Sequence, residues 1–172
     1  MDFLELTKRR YSCKKYDSQK TVSREKLERI LEAGRAAPTA KNLQEHHVYV
    51  LESKGSLEKV DSVTPCRYGA PTVLLVTYNK ENVFTYPGGK VSSGAEDATI
   101  VATHLMLAAA AEEVESCWLN NFNPDKVHEA FSLPENEEVV MLLDLGYPIE
   151  GGGGPLANHS SRKPLSETVT YL

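Results

Sequence analysis

The residues best suited to chemistry gather in two short segments. Residues 8–15, Lys-Arg-Arg-Tyr-Ser-Cys-Lys-Lys, hold five basic side chains and no acid, in a chain whose 19 Lys and Arg are outnumbered by 24 Asp and Glu. Arg offers a planar fork of donors and Ser a hydroxyl, so this composition suits a subsite for a small anion such as a phosphate ester. It equally suits a solvated helix end, because Lys and Arg are favourable in a last helical turn. The segment alone leaves both readings open. The second segment, Ala37-Pro38-Thr39-Ala40-Lys41-Asn42-Leu43-Gln44, leads directly into a run of strand-forming residues.

Other chemistries lack their residues. The run Gly151–Gly154 is followed by no Lys-Ser or Lys-Thr, and no GxGxxG opens a helix after a strand. A dedicated dinucleotide fold is therefore unsupported, and the glycines read as a flexible joint. His46 and His47 are adjacent rather than one helical turn apart, which is poor metal spacing. No GxSxG elbow marks a Ser hydrolase. Cys13, Cys66 and Cys117 form no CxxC, which disfavours both a disulfide framework and a thiolate zinc site. Cys117, beside Trp118 after an apolar run, reads as buried filler rather than a nucleophile.

Elements that position the two segments follow from pattern. The 172 residues, 41% hydrophobic, suffice for a single domain over 1–172 with a real core. Asp2 is placed to cap a short helix through Phe3, Leu4 and Leu6. Ser23 caps a second helix, with Leu27, Ile30, Leu31 and Gly34 on one face, that must stop before Pro38. Strands are expected over 46–52, 72–78, 117–119 and 138–145. A short helix capped by Ser56 carries Leu57, Val60 and Val63. The longest helix, Ser92 to Glu113, is apolar on nearly every side and should be central and buried. Asn123 caps a further helix with Pro124 at its first position. The tail's TVTYL reads as a strand. Interleaved strands and helices predict an α/β or α+β fold, a sheet with helices on its faces. The apolar run Ala98–Ala111 is too short for a bilayer, and the N-terminal residues lack the order of a signal peptide. A net charge of −5 disfavours nucleic acid as a partner. These features predict a soluble, cytoplasmic protein.

Read together and in order, the motifs resemble the FMN-dependent nitroreductase family. That family shows Arg-x-Ser-x-Arg/Lys near its N-terminus, here Arg10, Ser12 and Lys14. It then shows Pro-Ser-x-x-Asn-x-Gln-Pro before a strand, here Pro38, Thr39, Asn42 and Gln44. The likeness continues through Gly69-Ala70-Pro71, Asp97, Ser116-Cys117-Trp118-Leu119 and Leu145-Gly146-Tyr147-Pro148, and ends at Ser161-Arg162-Lys163-Pro164-Leu165. Departures are Glu45 for the usual Pro, His46 for an aromatic, Glu113-Val114-Glu115 for Gly-Leu-Gly, and Asn120-Asn121 where Gly is common. The chain is also shorter than most members and lacks the long inserted helices that wall the substrate side there.

The resemblance implies an α+β fold with a mixed central sheet flanked by helices and an FMN site, and it tips the basic segment toward the anion-binding reading. It implies that Arg10 and Arg162, helped by Ser12 and Ser160, contact the phosphate, with Tyr11 beside them. Lys14 would lie at the flavin's pyrimidine edge, where a cation favours the reduced form. Asn42 and Gln44 would contact ribityl or ring edge from a partner subunit, with Pro38 and Thr39 as further cofactor-binding residues, and the backbone at Leu119 and Asn120 would meet N5 and O4. No side chain is implied as a catalytic acid or base, and no metal. The implied activity is ping-pong hydride transfer from NAD(P)H to a nitroaromatic, quinone or similar electron-poor acceptor, in a homodimer whose tail (155–172) crosses between subunits. The alternatives are a flavin storage or regulatory protein without turnover, and a specialised flavin enzyme such as a reductive dehalogenase.

Overall fold

The computed structural model describes residues 2–172. Its elements run α1 (Phe3–Arg9), α2 (Arg24–Arg35), a single 3-10 turn (Ala40–Asn42), β1 (His46–Leu51), α3 (Lys54–Val63), β2 (Thr72–Asn79), α4 (Gly94–Ala111), β3 (Glu115–Leu119), α5 (Pro124–Phe131), β4 (Glu137–Gly146) and α6 (Leu165–Thr168). The α+β expectation holds. The sheet has the order β1-β2-β4-β3 and is antiparallel at every ladder, not mixed. Alternating burial looks the same in either strand direction, so the pattern cannot report which way a strand enters the sheet. The only parallel contact among the described residues is a single bridge between Ser12 and Ser116, at the rim of β3.

β2 and β4 are central and buried on both faces. One face packs Leu74, Val76, Met141, Leu143 and Leu145 against α2 and α4. The other packs Val73, Leu75, Leu142, Cys117 and Leu119 around Val60 of α3 and Val127 of α5. α4 buries Ala98, Val101, Ala102, Leu105 and Ala109, as a helix apolar all round must. Its small residues let α2 approach closely: a β-carbon at Gly34 would lie 2.6 Å from Leu105.

Local signals are mostly where they were expected. Ser23 Oγ accepts from Lys26 N, and Asn123 Oδ1 accepts from Asp125 N and Lys126 N ahead of Pro124. Asp2 holds the cap position of α1, but its side chain makes no cap bond. For α3 the cap is Ser53, not Ser56; Ser53 Oγ accepts from Ser56 N at 3.1 Å. Both serines have the right chemistry, and the true helix simply begins one turn earlier.

One expectation about the C-terminal segment is corrected, and one concerns a second subunit. The strand expected of TVTYL was one added to a partner's sheet; within this chain Leu165–Thr168 is one helical turn and the last residues are exposed. The four glycines are not all a free joint either. Gly153 has φ +77°, and a β-carbon there would collide with the Lys15 carbonyl oxygen. Glycine is needed at that position for a close approach, and the chain turns back there instead of swinging away.

Candidate functional site

The Ser12–Ser116 bridge, with Cys13 N donating to Ser116 O at 3.0 Å, lays the N-terminal segment along the rim of β3. Cys13 and Tyr16 point inward and are buried, while Ser12 and Lys14 face out. Tyr16 N donates to Tyr68 O at 3.0 Å, pinning the segment to the turn before β2. Between these walls lies a cavity of about 210 Å³, lined by Ser12, Lys14, Cys66, Tyr68 and residues 117–121. The Lys14 ammonium sits 5.8 Å from the centre of the Tyr68 ring.

Ser12 and Lys14 also line a second cavity, of about 190 Å³, closed by Tyr11, Leu156, Asn158 and His159. His159 in turn lines a third, of about 490 Å³, with Thr7, Lys8, Ser160 and Arg162. Shared residues thus set the three side by side, from Leu119–Asn120 at one end to Arg162 at the other, in a row termed the groove. The return of the chain after Gly153 builds the far end. His159 Nε2 lies 3.0 Å from the Lys8 carbonyl and so must donate to it, and its ring meets Tyr11 edge-on at 6.2 Å. Arg162 Nη1 donates to the carbonyls of His159 at 2.5 Å and Ser161 at 2.7 Å. His159 thus ties this segment to α1, while the bonds of Arg162 stay within the segment itself.

Lys8, Lys14 and Arg162 form no ion pair with a carboxylate among the described residues, so the groove is lined by uncompensated positive charge. Its phenols are poor acids. Burial first, then the field of Glu115, pushes Tyr11 up to about 12. Tyr68 also rises to about 12, from its hydrogen bond with Cys66 and from burial. Cys66 is drawn down by hydrogen bonds from Tyr68 and Asn121, whereas burial pushes Cys117 up to about 11, the range of an inert thiol.

Among the expected site residues, Tyr11, Ser12, Lys14, Leu119, Asn120, Ser160 and Arg162 line this groove. Arg10 does not; it ends α1 as the cap residue, and its charge acts on Glu115. Pro38, Thr39, Asn42 and Gln44 lie elsewhere, in the loop around the 3-10 turn. That loop is strained, with φ of 52° at Lys41, 56° at Asn42 and 57° at Gln44. Thr39 Oγ1 accepts from Gln44 N at 3.1 Å, and Asp97 Oδ1 accepts from Ala40 N at 2.9 Å. The side chains of Asn42 and Gln44 are left exposed. His159, Asn158, Cys66 and Tyr68 are groove residues that the sequence does not single out. Only their nearness to Arg162 and to Gly69-Ala70-Pro71 hints at them.

The sequence departures also find their places. Asn120 Oδ1 accepts from Trp118 Nε1 at 3.0 Å, and Asn121 Nδ2 donates to Cys66 Sγ at 3.4 Å. Asn121 thereby ties the end of β3 to the turn after α3, and its carbonyl accepts from Thr64 Oγ1 at 2.8 Å. Glu113 stands at φ 59°, a left-handed position that glycine would occupy without strain.

The nitroreductase family profile matches residues 7–64 and 65–147 of the chain. The chain belongs to the nitroreductase family. A nitroreductase family protein from Clostridium difficile 630 is 38% identical and superposes with a TM-score of 0.92, over 99% of this chain and 98% of that one. An oxygen-insensitive NADPH nitroreductase of Helicobacter acinonychis is 25% identical, covering 98% of this chain and 95% of its own. A structure from Exiguobacterium sibiricum 255-15, solved in complex with FMN, shares the nitroreductase fold at a TM-score of 0.85, with 21% identity and 100% of this chain covered. Family membership places the chain among oxidoreductases. No helix among the described residues is long and apolar enough to cross a membrane.

Proposed function

We propose that the chain is an FMN-dependent oxidoreductase that takes a hydride from NAD(P)H and passes it to a nitroaromatic, quinone or similar electron-poor acceptor. The observation that carries this reading is the groove itself: three neighbouring cavities that share lining residues, with unpaired cations along the row. The donor set fits FMN. Arg162, Lys8 and the Ser160 hydroxyl offer a dianion the charge-assisted bonds it needs. Ser12 and Asn158 suit a hydroxylated chain at mid-groove, and Lys14 with the Leu119–Asn120 backbone suits a polar ring edge. When bound, FMN supplies the two-electron chemistry. The chain binds and orients it, and the Lys14 ammonium favours negative charge at the ring edge it meets. With its phenols held neutral and Cys117 inert, the groove offers no strong base, consistent with a reaction in which position and charge do the work.

Homodimerisation is part of the proposal. Asn42 and Gln44 are exposed on a strained loop outside this chain's own groove, so a second copy is the ligand environment that would use them. β1 ends the strand order with an unpaired outer edge among the described residues, and strand addition is the standard way to satisfy one. The exposed segment beyond Arg162, with Leu165 76% and Tyr171 94% accessible, is free to supply that strand.

The test is the absorption spectrum of purified protein, then anaerobic mixing with NADH and with NADPH. A yellow protein bleached within minutes by either, and reoxidised by a nitroaromatic or quinone, is expected. A yellow protein that neither nucleotide bleaches would be a flavin carrier, and one that takes up no FMN would end the proposal.

A further inference from the structure

Asp144 has no evident reason to be where it is. It lies on β4 between Val73 of β2 and Cys117 of β3, with no accessible surface. Neither carboxyl oxygen has a hydrogen-bond partner, and the Tyr16 hydroxyl beside it is equally orphaned. An isolated carboxylate cannot be held in such a place, so the group is a neutral acid. Burial raises Asp144 to about 9, with Arg67 opposing and Cys66 and Asp61 adding to the rise. Its field reaches Cys13 and Tyr16 of the N-terminal segment, Tyr68 in the turn before β2, and Cys117, its cross-strand neighbour on β3. Cys66, Tyr68 and Cys117 are also the wall of the first cavity. Asp144 is thus directly behind the groove.

The one cation near it is spoken for. Arg67 clasps Asp61 through two bonds, Nε to Oδ1 at 2.7 Å and Nη2 to Oδ2 at 2.6 Å, and gives its remaining arm to the Ala70 carbonyl at 2.7 Å. Its side chain is only 17% exposed while that of Asp61 is 49% exposed, so the guanidinium is the buried member of the pair. The backbone it holds, Arg67–Ala70, includes Tyr68 at φ 54° and Gly69 at φ +84°, a turn kept in a left-handed conformation by its surroundings.

We propose that Asp144 is a positioning residue of the groove that acts through Arg67: neutral, it leaves Arg67 clasped to Asp61, and charged, it draws Arg67 inward and shifts the Cys66–Ala70 wall. The change needs no flavin and does not rest on the activity proposed above. Arg67 is the cation whose field opposes the rise of Asp144, so a charge there has Arg67 to recruit, and Asp61 is its competitor. Loss of Asp61 should make the inward state easier to reach.

Trp118, the single Trp of the chain, lines the same cavity and reports on its wall. Its fluorescence in the flavin-free protein should pass through a reversible transition between pH 8 and 10, below the range in which Tyr11 and Tyr68 ionise. Asp144→Asn should abolish the transition. Asp61→Asn should move it at least one pH unit lower, and this second variant keeps the test decisive if the first does not fold. Cys66→Ser is the control, and it should retain the transition, which excludes thiol ionisation as its source. Overturning results are a flat profile in the unmodified protein, a transition that persists in Asp144→Asn, or one that Asp61→Asn leaves in place.

Discussion

Two regions of this molecule treat charge in opposite ways. On the outer face of α2 every arginine is matched: Arg24 with Glu28 at 3.0 Å, Arg35 with Glu32 at 2.5 Å, and Arg29 with both Glu25 and Glu112 at 2.7 Å. Along the groove, Lys8, Lys14 and Arg162 have no carboxylate, and beneath it Asp144 has no partner at all. Surface pairs such as those of α2 contribute little and explain themselves. An exposed cation with no carboxylate is free for a ligand, and a buried carboxyl with no partner costs stability, so the position of each is informative.

That contrast can be broken from the groove side first. Gly153→Ala should have the largest effect, because the new β-carbon meets the Lys15 carbonyl at a left-handed φ. Strain of about 1–3 kcal/mol is expected, and the return segment carrying His159, Ser160 and Arg162 should lift from α1. FMN titration should then show a greater loss than any single side chain causes, together with a lower thermal midpoint.

Arg162→Ala comes next. Losing a charge-assisted bond of ~1.5–3 kcal/mol should weaken FMN roughly tenfold or more, measured by quenching of flavin fluorescence. Lys14→Ala should weaken FMN less. Its signature is a lower flavin midpoint potential and slower bleaching by NADH; an unchanged potential would make Lys14 an ordinary surface charge.

Asp144→Asn should change stability in the other direction. The folded group is held near 9 against an ordinary value of 3.8, so the unfolded chain ionises first. The penalty on folding appears as pH rises past the ordinary value, grows toward 9, and is then constant. The variant should therefore gain thermal midpoint over the unmodified protein at pH 8 and show almost no gain at pH 4. The smallest effect belongs to the matched face: Arg29→Ala should leave FMN affinity unchanged and barely move the thermal midpoint. A clear loss of FMN there would erase the distinction between the two regions.

How much of this was legible in the sequence depends on the range of each signal. Asn123-Pro124 and Ser23 announce their helices because a cap is decided within four residues. The antiparallel sense of the sheet was not legible, since Val73–Val76 and Met141–Leu145 would read the same in either direction. Gly151–Gly154 looked like a joint by composition, although Gly153 is there for a close contact with Lys15, a residue far away in the chain. TVTYL has strand-forming residues, yet a strand also needs a neighbour, and this chain offers none beside it. Arg10 and Arg162 look alike as basic residues near serines; only the fold turns one toward Glu115 and the other into the groove. Nothing in Leu142-Leu143-Asp144-Leu145 betrays a carboxyl with no partner.

The most direct test of the account compares FMN with riboflavin, which lacks the phosphate, as ligands of the flavin-free protein. The unmatched cations at the Arg162 end predict that FMN binds at least tenfold tighter, that the gap shrinks as salt is raised, and that Arg162→Ala removes most of it. Equal affinity for the two ligands, or a gap that survives in Arg162→Ala, would contradict the claim that this end of the groove is built for a phosphate.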